Sequence, residues 1–252
     1  MFPLLVVSIF SCIFACYLIR DMKKILSLLF LGAAIALPSH AQWSIGLHSG
    51  AGINSMVRSS FYTSQTYEDR TGFSAGLSSE YMFNEWLGLR FGADILQKNY
   101  RTVYNNSEMA RYGCNEDFRN TYLQIPVMAD FRFGPAKWRI HLLAGVYGGY
   151  WLSSRESGTI NHVGLDPDDD ANIHTASFEN EKVEFNSTRD NRLCFGAVGG
   201  LGIERALSEH WFLGAEALYC YDLSSQTADY MSFKDPRYNN TVVCHLGVSY
   251  RF

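Results

Sequence analysis

The last twelve residues, 241–252, alternate in character without a break. Val242, Cys244, Leu246, Val248, Tyr250 and Phe252 fall on one face, and Thr241, Val243, His245, Gly247, Ser249 and Arg251 on the other. A period of two belongs to an extended strand, not a helix. One oily face backed by a small or polar one suits a wall between hydrocarbon and a polar interior. The same alternation recurs seven times upstream. Its outward sets are Trp43, Ile45, Leu47, Ala51 and Ile53; Phe73 to Phe83; Leu87 to Ile95; Leu123 to Phe133; Trp138 to Tyr150; Leu193 to Ile203; and Trp211 to Tyr219. The expected fold is therefore all-β: an eight-stranded antiparallel up-and-down transmembrane β-barrel.

The connections support this reading. Short turns fall at 84–86, 134–137 and 208–210, and long loops near 55–70, 101–117, 153–189 and 224–238. Short turns on the periplasmic side and long loops outside are the outer-membrane arrangement. Trp43, Trp86, Trp138 and Trp211 all sit at the short-turn end of a strand, where an indole suits the membrane border. A soluble lipocalin-like barrel needs the opposite placement, with apolar side chains inside and charges outside. Here the charged residues share a face with Gly and Ser, the composition of a crowded lumen.

The N-terminus predicts export. Residues 22–41 carry a basic start at Lys23 and Lys24, an apolar run from Ile25 to Leu37, and Ser39-His40-Ala41 before a cleavage point at Gln42. Residues 1–21 hold a second apolar stretch, from Phe2 to Ile19, and read as a start assigned too early or as an additional anchor. Residues 42–252 then form one barrel domain. After Ala41 the chain has 18 basic and 24 acidic side chains, a balance that excludes a nucleic-acid partner. Outer-membrane lipid is the expected surrounding. The terminal Phe252 resembles the signal read by the barrel-insertion machinery of Gram-negative bacteria during assembly.

Tyr122-Leu-Gln-Ile-Pro-Val127 resembles the Tyr-Leu-x-Ile-Pro-Leu segment of the PorT-like outer-membrane β-barrel domains of Bacteroidota. The Gly-rich first strand and the aromatic-ended last one are also similar, over roughly 42–252. The resemblance implies an outer-membrane barrel. One member of that family assists a secretion system, and it transfers no catalytic or binding residue to this chain.

Charge on the inward face is concentrated in Glu80, Arg90, Asp94, Asp130, Arg132, Arg139, Glu204, Glu216 and Arg251, with His141 and His245 among them. These are expected to form a lumen charge network rather than a proton relay or a polar pore, because eight strands enclose just enough space for side chains. Glu80 and Arg90 flank one short turn and Asp130 and Arg139 the next, so each pair is expected to meet at one height. His48 and His245 lie across the closing seam but lack a third metal ligand. Asp166 to Asn172 is acidic yet lacks the Gly and distal Glu of a calcium loop. Among the cysteines, Cys194 and Cys220 face inward with an offset that opposes pairing. His162, His174 and Ser177 share the longest loop without a spacing that defines nucleophile and base. No catalytic, cofactor-binding or metal-binding residue is expected, and no enzyme activity. The expected function is a structural or assembly role in the envelope, from a closed polar lumen with long external loops. The alternatives are recognition of a ligand or envelope protein by the loops, a narrow channel, or a lipid-modifying enzyme.

Overall fold

The computed structural model describes residues 42–58, 65–104, 114–164, 172–228 and 236–252, all within one compact unit, Gln42–Phe252. Among them are ten strands: β1 Gln42–Arg58, β2 Gln65–Met82, β3 Leu87–Gln97, β4 Tyr100–Tyr104, β5 Asn115–Phe133, β6 Trp138–Gly164, β7 Asn172–Lys182, β8 Leu193–Ala206, β9 Trp211–Asp222 and β10 Arg237–Arg251. Every pairing is antiparallel. The sheet closes on itself, because β1 pairs with both β2 and β10 while β5 links β3 to β6. The ring has eight staves, as the alternation predicts. β3 and β4 are one stave interrupted at Lys98 and Asn99, since both pair with β2 and with β5. β7 stands outside the ring and pairs with β6.

Closure at the seam runs from Ser44↔Arg251 to Arg58↔Arg237, and the Phe252 amide adds a 2.9 Å bond to the Trp43 carbonyl. Glycine permits the closest approaches in this wall. A Cβ on Gly50 would lie 1.8 Å from the Cys244 carbonyl oxygen, and one on Gly145 would lie 2.0 Å from that of Val127. The three short turns close by local side-chain chemistry. Asn84 Oδ1 accepts from the amides of Trp86 and Leu87 at 3.0 and 2.8 Å. Ser208 Oγ accepts from the amide of Trp211 at 3.1 Å. Gly134 adopts φ 112°, which L side chains avoid, and Trp138 N bonds Pro135 O at 3.1 Å.

The outward side chains form an apolar belt. Leu47, Leu77, Val146, Leu193, Leu201 and Leu246 are each more than half exposed. Its lower border is aromatic: Trp43 packs on Tyr81 at 5.0 Å, Trp86 on Phe131 at 6.3 Å, and Trp211 on Tyr250 at 5.2 Å. Segments expected as long loops are in part strand. β6 is 27 residues long, more than twice the ~9–11 that a tilted strand needs to cross hydrocarbon. Its polar outer end continues the ladder with β5 and then β7, because extended pairing gives each backbone group a partner. The Asp166–Asp170 run lies outside the described residues.

A ring whose backbone groups bond to neighbouring strands resists detergent. Unboiled protein in dodecyl sulfate should therefore migrate as a separate, folded band that boiling abolishes. Identical migration of boiled and unboiled samples would contradict the closed ring.

Candidate functional site in the barrel lumen

Inward residues fill the ring in three layers. The lowest is charged. Arg132 reaches back between β5 and β2, bonding Glu80 through Nη2 and Asp130 Oδ2 through Nε at 3.2 Å. Arg90 donates to Glu216 Oε2 at 2.6 Å and approaches Asp130 Oδ2 at 3.5 Å. Arg251 Nη2 meets Glu204 Oε1 at 3.1 Å, with its guanidinium stacked 3.9 Å from the Phe212 ring centre. Three imidazoles join this layer, each against a carboxylate. His48 lies 2.8 Å from Asp94, His141 2.9 Å from Asp130, and His245 3.2 Å from Glu216. Among the described residues the cysteines are free, with Cys194 and Cys220 turned inward and Cys244 exposed on the apolar belt.

Asp94 meets His48, and seven of the nine lumen charges named from sequence enter arginine–carboxylate pairs: Glu80, Arg90, Asp130, Arg132, Glu204, Glu216 and Arg251. Arg139 does not, among the described residues. The expected Asp130–Arg139 pair is corrected by register. The last rung between β5 and β6 is Phe133↔Ile140, and Asp130 stands opposite Leu143. Arg139 is thus four residues from Asp130's level, about 13 Å at ~3.3 Å per residue. Glu80 and Arg90 are direct cross-strand partners, yet the Glu80 carboxylate makes its close contact with Arg132.

Above the charges lies an apolar cluster of Met128, Leu143, Tyr147, Val198, Leu218 and Cys220. The upper layer is a polar plug. Lys98, fully buried, donates to Asp222 Oδ1 at 2.7 Å and sits 5.2 and 5.0 Å from the ring centres of Tyr122 and Tyr147. Tyr147 Oη also bonds Asp222, and Asn239 donates to its other oxygen at 3.2 Å. Asn54 and Thr241 extend the chain at 3.0 and 2.7 Å. Tyr122 stacks on Trp151 at 5.7 Å. The plug was legible only by carrying the alternation further. Continuing the third stave past Ile95 turns Lys98 inward, and continuing the seventh past Tyr219 turns Asp222 inward.

The Tyr122–Val127 segment now has a physical reading. Tyr122, Gln124 and Pro126 are buried in the lumen, whereas Leu123, Ile125 and Val127 face outward. Pro126 offers no amide to β3, and the ladder between them lacks its rungs at Gly92 and Ala93.

The chemistry on offer is limited by access. Ser74 Oγ is 2.9 Å from His245 Nε2, whose Nδ1 is 3.2 Å from Glu216, the order of nucleophile, base and orienting carboxylate. Ser74 is only 1% exposed and does not line the adjoining chamber, so its hydroxyl is packed rather than presented. Outside the belt, Arg101 and Arg70 both donate to Asp117. Burial pushes that carboxyl up, but the two guanidiniums outweigh it and hold it below the ordinary range. Glu156 faces Glu181 across β6 and β7; burial, then the Glu116 and Glu181 charges, raises it. His162 and His174 occupy opposite positions on the same two strands.

A closed antiparallel ring with an apolar outer belt and a filled polar interior defines a small outer-membrane β-barrel. The chain belongs to the outer membrane protein beta-barrel domain family, whose model matches residues 38–225. It is a protein of the outer membrane. Among solved structures it is similar to OprG of Pseudomonas aeruginosa, at 12% identity and TM-score 0.46, over 83% of this chain and 95% of that one. Neisserial surface protein A is similar at 16% identity and TM-score 0.42, covering 85% and 100%. Ail of Yersinia pestis is similar at 16% identity and TM-score 0.38, covering 84% and 99%. No curated protein matches the sequence.

Removing one member of a buried ion pair leaves its partners charged and alone, typically a loss of about 3–5 kcal/mol. Asp130 is fully buried and contacts Arg132, Arg90 and His141. Asp130→Ala should therefore lower the urea-unfolding free energy of the refolded barrel on that scale. The exposed Glu179→Ala, on β7, should leave it unchanged. Equal effects would contradict the network.

Proposed function

We propose that this barrel serves the outer membrane as a structural or assembly element and does not carry solutes. The observation behind this reading is the lumen itself: charged, apolar and hydrogen-bonded layers succeed one another along its axis, and ion pairs and hydrogen bonds link many of their side chains. Phe252 acts as the insertion signal, and the Tyr122–Val127 segment supports the narrower PorT-like assignment. The chain is non-enzymatic in this proposal, and its surroundings are outer-membrane lipid.

A second reading has its own observation. β6 and β7 extend beyond the apolar belt as a paired hairpin, a surface on which an envelope protein or ligand can be recognised. One complementation experiment separates the two. In a strain lacking the protein, the full chain should restore the envelope barrier, measured as exclusion of a large antibiotic. A variant with residues 158–178 replaced by a short turn should restore it equally, whereas a variant lacking Phe252 should fail to assemble. Loss of complementation by a folded, hairpin-shortened barrel would put recognition first. Normal assembly without Phe252 would remove its role as a signal.

A further inference from the structure

One rung of the ladder above the belt carries three cations side by side. Arg119 on β5 stands opposite Arg155 on β6, and Arg155 stands opposite Lys182 on β7. All three are exposed, whereas the adjacent pair Asn120 and Ser154 is buried, so the row points away from the barrel axis. Like charges placed directly opposite across a ladder repel each other and destabilise it. Among the described residues none of the three enters an ion pair, and Arg155 Nη1 donates to the Asn180 carbonyl at 3.3 Å. One outward position higher on β5 the charges are matched, since Asp117 accepts from both Arg70 and Arg101. Glu156 and Glu181 occupy the rung next to Arg155 and Lys182 but take the opposite face, because successive side chains alternate.

Height gives the row its meaning. The outward apolar positions of β5 run from Leu123 to Phe133, against the ~9–11 residues that a tilted strand needs to cross hydrocarbon. Arg119 is four residues past Leu123, ~13 Å along the strand and about 10 Å above the hydrocarbon edge once the strand tilts. On β6, Arg155 follows Leu152, the last large apolar side chain exposed on that face before it. The short turns and the tryptophan border lie at the other end of the barrel, so this is the outer side. Arg192 adds a fourth cation lower on the same border. Its guanidinium lies 4.5 and 4.3 Å from the ring centres of Tyr150 and Phe185 and donates to the carbonyls of Trp151 and Leu152 at 2.9 and 3.3 Å. After Ala41 the chain is acidic overall, with 24 acidic side chains against 18 basic, so the positive charge here is a local concentration.

We propose that the row of Arg119, Arg155 and Lys182 binds a phosphate of the outer-leaflet glycolipid, on its lipid A headgroup. The inference uses the outer-membrane location and neither reading of the barrel's role. A guanidinium pairs phosphate oxygens in a fork, and cross-strand neighbours stand close enough for adjacent side chains to share one anion. A phosphate seated on the rung turns its repulsion into attraction, which accounts for three neighbouring cations left without carboxylates. The row lies open on the side of the wall and forms no pocket. An anion is held there when its own acyl chains lie against the apolar belt beneath, so the occupant is a lipid and not free phosphate. Three strands supply the row, so no local sequence motif announces it.

The test uses the mature barrel, refolded in an uncharged detergent and labelled with a dye at its N-terminus. Diphosphoryl lipid A and the same lipid with both phosphates removed are titrated separately, and binding is read by thermophoresis. Each cation beside an anionic lipid headgroup is worth about fivefold in affinity. The expected result is binding at least tenfold tighter for the phosphorylated lipid. That preference should vanish in Arg119→Gln/Arg155→Gln/Lys182→Gln and fall partway in Arg155→Gln alone. Lys137→Gln/Arg205→Gln, exposed at the periplasmic border, should keep it. Millimolar inorganic phosphate should displace the lipid no more than sodium chloride of equal ionic strength. Folding of each variant is checked by its migration without boiling, and removing exposed, mutually repelling charges should not prevent it. No preference in the wild type, or a preference retained by the triple variant, overturns the proposal and leaves the row to an acidic protein face. An equal loss in the periplasmic variant reduces the effect to net charge, and specific displacement by inorganic phosphate removes the lipid as occupant; either result overturns it too.

Discussion

Backbone amides and carbonyls crossing hydrocarbon have no water to bond, so each must find a partner in the protein. The rest of this structure follows from that constraint. Strands can meet it only by closing, and the β1–β10 seam does so from Ser44↔Arg251 to Arg58↔Arg237. Closure with eight staves leaves an interior the width of side chains. Whatever points inward must then be small, or must satisfy a neighbour. Gly50 and Gly145 supply the first condition, and the Arg132–Glu80–Asp130 cluster the second.

The charges inside are better read as a specifying device than as a source of net stability. Ion pairs taken from water often do no better than well-packed apolar groups, yet losing one partner is costly. Such a network penalises wrong registers. A one-residue slip of β5 would turn Asp130 and Arg132 toward lipid and expose their lumen partners. In the same way Lys98 secures the plug. Its ammonium is fully buried against Asp222 and two tyrosine rings, at the break between β3 and β4. The break in the stave and the buried lysine thus belong to one local solution.

Much of this was legible in the residues. Alternation at 73–83, 123–133 and 241–252 gave the wall, its outward side and the inward placement of Glu80, Asp130 and Arg251. Turn chemistry at Asn84, Gly134 and Ser208 placed the short connections. Three things were not legible. Parity says which face a side chain takes but not which neighbour it contacts, so Arg132 rather than Arg90 holds Glu80, and Arg139 stays apart from Asp130. Polarity marked 153–164 and 172–182 as loop, although polar strands pair as readily once they leave hydrocarbon. Finally, the Arg90–Glu216 pair joins two staves far apart in sequence, β3 and β9, and only closure brings them together.

The account turns on whether the lumen is shut. Single-barrel recordings in planar lipid bilayers, with the full mature chain at high salt, address this most directly. A barrel filled by the Lys98–Asp222 plug, the Met128–Leu218 cluster and the Arg132 network should show no steady conductance above the bilayer baseline. A stable open level of porin-like size would contradict the filled lumen and make transport the leading function.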